Sequence, residues 1–409
     1  MTQAFNLGLL ANNVNSSGKL DSSVGLVNAT PVANGGTNLT TFGATGNMLI
    51  ADTASSLSAV AMPSFGFKNR IINGAMVIDQ RNAGASVNCA AGANTYTLDR
   101  WQVENSTSTG VIAAQQNSAN APTNQGFSQS LKLTVGTSNS ATAAQVVDLV
   151  EKIEGFNVSD LAWGTANAKP ITVSFWVYSS LTGTYCSTIR NTNGRSYTVE
   201  YSISSANTWT QISYTVVGDT TTSLATDNTF SLGLYFDLGS GSNFNTTAGA
   251  WQTGNYRRTT NQANWIGTAS ATFYITGIQL EKGSTATSFD YRPYGTELAL
   301  CQRYCNVIRP NSGSSAICSG LWYTTTGTLH SFIYPVQMRS APTLSYSALA
   351  DFGVVNTSGA NSISAFTITA PSTSNCRLDV TSSSAGTAGQ GCIVQTANSS
   401  SVLTFSAEL

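Results

Sequence analysis

The sequence predicts an all-β protein, and three observations lead there. Charged residues fill only 9% of the 409 positions, against roughly 25% in an ordinary soluble domain. Ser, Thr, Asn and Gly take their place. These residues favour turns and exposed strand faces, because their side chains compete with helices for backbone hydrogen bonds. Third, between about Phe65 and Pro293 several segments alternate apolar and polar residues with period two, and their connections are too short for crossover helices. The expected architecture is an N-terminal extended shaft or attachment segment, a central jelly-roll β-sandwich, a short linking helix and a small C-terminal β-sandwich.

Composition also limits partners. With a formal net charge of −1 and no cluster of Lys or Arg, nothing steers the chain to nucleic acid or to acidic membranes. No stretch approaches the roughly 20 apolar residues that cross a bilayer, so membrane insertion is not expected. The opening MTQAFNLGLLANN lacks a basic region followed by an apolar run and does not read as a secretory signal. The seven cysteines are scattered and odd in number, a poor disulfide framework that fits folding in a reducing cytosol. A chain made in the host cytoplasm yet composed like an exterior protein fits a virion component, released by lysis rather than by secretion.

Residues 1–62 carry only Lys19, Asp21 and Asp52 as charges, and short apolar motifs alternate with Gly, Asn and Thr turns. Alone, such a segment buries too little apolar area to offset its ordering entropy. It reads either as a flexible linker or, because its apolar residues recur regularly, as a shaft of intertwined chains that attaches to the particle. Residues 63–294 hold the sandwich, with the clearest strands in ITVSFWVYSS (171–180), SYTVEYSIS (196–204), WTQISYTVV (209–217), TFSLGLYFDL (229–238) and ATFYITGIQLE (271–281). Six of the seven tryptophans lie here, which makes this the region with the largest core. Residues 295–307 predict the helix, capped by Thr296, with Leu298, Cys301 and Cys305 on one buried face. Residues 308–409 return to short strands with weak hydrophobic patterning. That tip domain is expected to complete its core by oligomerising.

Four stretches carry a resemblance: NRIINGAMVIDQR (69–81), YTLDRW (96–101), KPITVSFWVYSSLTGTY (169–185) and FYITGIQLEKGSTATSFDYRPYGTELALCQRYC (273–305). Together with TPVANGGTNLTTFGATGNMLIAD (30–52), they resemble bacteriophage tail-fibre proteins over about residues 30–305. CQRYC departs from the pattern, since an aromatic residue is common in that family at the place of Cys305. From 306 onward the similarity to fibre tips is loose. The resemblance implies a homotrimeric fibre on the virion, whose N-terminus docks on tail, baseplate or adaptor proteins. It also implies contact with a glycan or protein of a bacterial surface, and a central jelly-roll akin to carbohydrate-binding modules. A structural capsid or baseplate decoration and a polysaccharide depolymerase are the competing functions.

Chemistry is sparse. Glycoside hydrolysis needs two carboxylates at a defined separation, and the carboxylates here sit mostly at strand ends with no β-helix repeat. No nucleophile elbow accompanies the sole histidine, His330, which reads as exposed or facing a trimer axis. Cys301 and Cys305 lack the second ligand pair of a zinc site and read as buried thiols. No cofactor or metal is expected, and the chain is not expected to be an enzyme. The turn-rich stretch 239–265, with Trp251, Tyr256, Arg257, Arg258 and Trp265, is the first candidate site. Sugars stack on aromatic rings while amides and guanidinium groups bond their hydroxyls. Anchoring of that loop to the sandwich, or trimer packing, are the alternatives. Trp322 and Tyr323 in the C-terminal domain form the rival site. Trp101 is expected in the core, with Arg100 paired to a carboxylate, and Arg292 and Pro293 are expected to lock the exit from the sandwich.

Overall fold

A computed structural model describes residues 47–53, 56–61, 67–310 and 313–409. The expected shaft or linker of residues 1–62 lies outside the described residues except for one antiparallel hairpin, β1 (Asn47–Thr53) with β2 (Ser56–Ala61). That hairpin belongs to a separate unit from residues 67–409.

Two antiparallel sheets form the predicted sandwich. The first contains, from edge to edge, β14 (Trp251–Thr253), β11 (Arg195–Ile203), β10 (Gly183–Asn191), β13 (Phe230–Asp237), β8 (Val147–Glu154), β5 (Trp101–Asn105) and β4 (Ala93–Tyr96). The second contains β12 (Thr210–Val216), β9 (Ile171–Ser179), β15 (Thr272–Lys282), β7 (Ser130–Thr137), β6 (Val111–Asn117) and β3 (Val87–Cys89). Strands consecutive in sequence often sit in opposite sheets, as jelly rolls require. Period-two alternation sends Val173, Phe175 and Val177 of β9 inward, to meet Leu232, Leu234 and Phe236 of β13 in one core. Phe175 packs edge-on against Phe236 at 5.0 Å, and Trp101 is fully buried beside it, as expected.

The helix is shorter than its sequence pattern suggests. It spans Tyr294–Gln302 (α1), starts after Pro293, and leaves Thr296 inside the first turn rather than at the cap. Pro at the boundary fixes the entry and supplies no side-chain acceptor. Cys305 opens strand β16 (Cys305–Ile308) instead of continuing the helix face. Cys301 and Cys305 are both buried on different elements. Burial pushes the Cys305 thiol up to about 12, so it packs as a small neutral group.

Beyond α1, β16, β24 (Leu403–Ser406) and β19 (Thr343–Tyr346) form a three-stranded sheet. Beside it, β17 (Ala316–Trp322), β18 (Gly327–Ile333), β22 (Asn375–Ser382), β21 (Gly359–Thr369), β20 (Phe352–Asn356) and β23 (Gly391–Thr396) close into a barrel, where the sequence suggested a small β-sandwich. Bulges in β17 and β21 tighten the twist. The tightened sheet brings β23 to bond both β17 and β20, which removes free strand edges. The tip therefore builds a core within one chain, around Trp322, Phe352, Phe366, Leu378 and Val394. His330 is inside this barrel rather than exposed. It is 1% exposed, and its Nε2 lies 2.9 Å from Thr328 Oγ1. Gly320 is required opposite it, because a Cβ there would come within 2.5 Å of the imidazole.

The C-terminal residues return to the sandwich and seal the junction. Arg100 bonds Glu408 and lies over the Tyr304 ring at 3.6 Å, Arg81 reaches Glu408 at 2.8 Å, and Arg303 reaches Glu154 at 3.0 Å. Arg339 donates to the carbonyls of Ala407 and Glu408, and Tyr96 donates to that of Leu409. At the exit from the sandwich, Arg292 pairs with Glu297 at 3.1 Å and donates to the Ile71 carbonyl, the expected lock.

This junction buries carboxyl groups, and burial disfavours their ions. Desolvation raises Asp99 to about 7 and Glu151 to about 8, against the nearby cations Arg81 and Arg100. Burial raises Asp148 and Asp237 as well. An acid raised in the fold binds a proton that the unfolded chain has already released, so it lowers stability as pH climbs from its unfolded to its folded value. His330, lowered by burial, acts the opposite way below its ordinary value. The carboxyls outnumber it, so the melting temperature is expected to fall by several degrees between about pH 5 and pH 8.5. Thermal unfolding at fixed ionic strength checks this, and Glu151→Gln should flatten the slope. A melting temperature that rises over this range would contradict it.

Candidate functional site

The 239–265 stretch lies across the outer face of the seven-stranded sheet as a strap. β14 pairs with β11, Gly249 N–H donates to the Thr198 carbonyl at 2.9 Å, and Ala263 N–H donates to that of Thr184 at 2.7 Å. Its aromatic and basic residues mostly hold it there. Trp265 is fully buried, with Phe273 at 6.3 Å. Trp251 donates its Nε1–H to the Val217 carbonyl at 2.8 Å and packs edge-on against Trp163 and Tyr197. Arg257 is 2% exposed, bonds Asp148 Oδ2 at 2.8 Å, and stacks over the Tyr235 ring at 4.0 Å. The polar outer face of the sheet explains this use of charge. Asp148 and Tyr235 need partners once covered, and Arg257 supplies them, while the Asp237 carboxylate accepts the N–H groups of Gly239 and Ser240 and Gln262 donates to the Asp237 carbonyl.

Trp251, Arg257 and Trp265 thus anchor the strap, and Arg257 and Trp265 are buried beneath its surface. Arg258 and Tyr256 remain half-buried. Arg258 lines a polar cavity with Ser240, Asn245 and Asn264, and its guanidinium is engaged by the carbonyls of Ser240, Thr259 and Gln262. In the barrel, Trp322 is fully buried, with its ring against Gly386, which corrects its assignment as a binding residue. Tyr323 stays 66% exposed at the β17–β18 hairpin. The structure does not bring Trp322 and Tyr323 to a common surface.

The arrangement that sequence reasoning passed over is on the outer face of the six-stranded sheet. In β9, Trp176 and Tyr178 alternate with the inward Phe175 and Val177 and are half-buried from outside. Strand register sets up a row. Tyr178 lies opposite Tyr274, Tyr274 opposite Lys132, and Lys132 opposite Gln115. The neighbouring row places Gln211 opposite Trp176 and Trp176 opposite Thr276. Trp209, just before β12, joins the cluster with its ring 5.6 Å from Tyr178 and 6.4 Å from Tyr274. Its Nε1–H donates to Asn120 Oδ1 at 3.3 Å, which fixes the indole plane. Tyr178 and Tyr274 meet edge-on at 5.1 Å, and Lys132 Nζ sits 5.9 Å from the Tyr274 ring centre.

Chemically this is a shallow platform in which the half-buried rings of Trp176, Tyr178 and Trp209 surround a Tyr274 ring that is only 9% exposed, bordered by amide, hydroxyl and ammonium groups. At about 4.8 Å per strand, the row from β9 to β6 is roughly 14 Å long, more than one sugar ring. The signal was present in the sequence. In ITVSFWVYS, once Val173, Phe175 and Val177 are assigned inward, Trp176 and Tyr178 must point out.

No protein-family model matches the chain, and no curated protein matches it. Solved structures similar to it include three of the sugar-binding type. The first is a provisionally assigned sugar-binding protein from Bacteroides thetaiotaomicron, 12% identical, covering 53% of this chain and 100% of that one with a TM-score of 0.30. A family 11 carbohydrate-binding module from Clostridium thermocellum, in complex with a beta-1,3-1,4-mixed-linked tetrasaccharide, is 11% identical. It covers 47% of this chain and 95% of that one, with a TM-score of 0.25. The N-terminal cellulose-binding domain of the Cellulomonas fimi beta-1,4-glucanase C is 11% identical, covering 46% and 90% with a TM-score of 0.24. The sandwich itself rests on this chain's own strand register.

Proposed function

We propose that the chain is a virion fibre protein that binds a bacterial surface glycan on the outer face of its six-stranded sheet. The observation that carries the binding reading is the cluster of half-buried rings, Trp176, Tyr178 and Trp209, backed by the largely buried Tyr274 ring and bordered by Lys132, Gln115 and Gln211. Rings in such a cluster stack on the C–H faces of sugars, while the flanking amides and ammonium bond the hydroxyls. The platform is shallow, so it suits an extended chain and a weak single-site affinity.

The virion role is supported by the resemblance of residues 30–305 to tail-fibre proteins. In this reading the chain assembles as a homotrimer, residues 1–62 dock on a tail, baseplate or adaptor protein, and three linked platforms raise avidity through effective concentration. The protein holds the glycan without cleaving it and needs no cofactor.

Purified envelope polysaccharide from susceptible bacteria, presented to the full chain, tests both parts. Binding is expected, with loss in Tyr178→Ala and Trp209→Ala, retention in Tyr323→Ala, and no release of reducing ends. Failure to bind any envelope fraction, or binding indifferent to the platform variants, would overturn the reading.

A further inference from the structure

A cavity of about 150 Å³ lies between the segment leaving β15 and the segment that enters the sandwich. We infer that it is a second carbohydrate site, taking one neutral, hydroxylated sugar ring. The inference does not depend on the platform.

Its walls are aromatic and rigid. Phe127, Phe289 and Tyr291 form a closed triad with ring centres 5.1, 5.5 and 4.8 Å apart. The Phe127 ring is seated on Gly277, whose φ of +62° and lack of a Cβ allow the approach; a Cβ there would lie 2.5 Å from the ring. Tyr294 of α1 stands at the rim, 62% exposed. Ala75 and Val77 complete the apolar lining.

The polar lining selects the ligand class. Arg292 and Glu297 line the cavity but neutralise each other at 3.1 Å. Asp290 accepts the N–H groups of Lys68 and Asn69 on Oδ2 alone, at 2.9 and 3.2 Å. Its Oδ1 has no hydrogen-bond partner among the described residues. The cavity therefore offers aromatic faces, one open carboxylate acceptor and a net negative lining. Aromatic faces hold C–H surfaces, and a carboxylate oxygen accepts strongly from hydroxyls. The same charge repels acidic sugars, and the volume is below the 300–1,000 Å³ typical of drug-sized sites. A single neutral hexose meets all three conditions.

Saturation-transfer NMR of the full chain with the methyl glycosides of glucose, galactose and mannose tests this. Transfer to at least one glycoside is expected. It should persist in Trp209→Ala, which disables the platform, and disappear in Ser128→Trp, which fills the mouth from an exposed position. Asp290→Asn keeps an acceptor for the two backbone bonds and should weaken the signal several-fold. Cooperative melting of each variant verifies folding. No transfer to any of the three, or transfer unaffected by both Ser128→Trp and Asp290→Asn, would overturn the assignment. Transfer lost only in Trp209→Ala would place the ring on the platform, overturning the second site while supporting the first.

Discussion

Trp176→Ala is expected to weaken glycan binding by roughly 10- to 100-fold, about 1.5–3 kcal/mol, while leaving the fold intact. The size follows from the surface that the indole offers. A tryptophan at the centre of a contact row contributes stacking and buried area together, and truncation forfeits both. The tolerance of the fold follows from position. Trp176 points away from the core built by Phe175 and Val177 and is already half in water. Trp251→Ala should behave in the opposite sense. Its indole anchors the strap through Val217, Trp163 and Tyr197, so the melting temperature should fall and affinity hold. Titration calorimetry beside thermal unfolding, run on both variants, separates the two roles. Equal affinity of Trp176→Ala and wild type would remove Trp176 from the site.

Glu408→Ala carries the largest expected stability effect, about 3–5 kcal/mol, the usual cost of leaving a buried charge without its partner. Arg100 is 1% exposed at its side chain, and Glu408 is 6% exposed and bonds both Arg100 and Arg81. Removing the carboxylate strands one guanidinium in the junction and weakens the hold of the C-terminal residues on the sandwich. The Lys152 carbonyl and the Tyr304 ring remain for Arg100, which sets the loss below that of an isolated buried ion. A drop of roughly 5–10 °C in melting temperature is expected. Glu408→Gln, which keeps a hydrogen-bond acceptor without the charge, should fall between. An unchanged melting temperature in Glu408→Ala would mean that the junction is not held by this pair.

The sandwich was legible because two-sided alternation is a local property. Phe175, Phe236 and Phe273 each declare an inward position within their own strands. Barrel closure in the C-terminal part was not legible, since it depends on which distant strand pairs β23, and its bulges leave no clear mark on composition. The helix length was misread because Leu298, Cys301 and Cys305 keep a helical spacing that the chain abandons after Gln302 for an edge beside β24. His330 was read as exposed or facing a trimer axis because a lone polar residue in an alternating strand is ambiguous, and only the glycine across from it makes room inside.

The role of the 239–265 stretch was ambiguous for a related reason. A turn-rich insertion full of Trp and Arg has the composition of a binding loop, but it also has the composition needed to cover a polar sheet face. Only the positions of Asp148, Glu200 and Tyr235 beneath it decide between the two. Arg257 answers Asp148, and Thr259 answers Glu200. The strand rings left available are those of Trp176 and Tyr178, whose partial exposure follows from register, while Tyr274 beside them is largely buried.

Acrylamide quenching of tryptophan fluorescence, with and without a bound oligosaccharide from the host envelope, tests the platform most directly. Trp101, Trp265 and Trp322 are fully buried, so quenching reports chiefly the half-exposed indoles, among them Trp176 and Trp209. The oligosaccharide is expected to shield a fraction of the emission that is missing in a Trp176→Phe, Trp209→Phe double variant. Binding that leaves the quenching of the wild type unchanged, or shielding that survives in the double variant, would contradict a glycan site on this face.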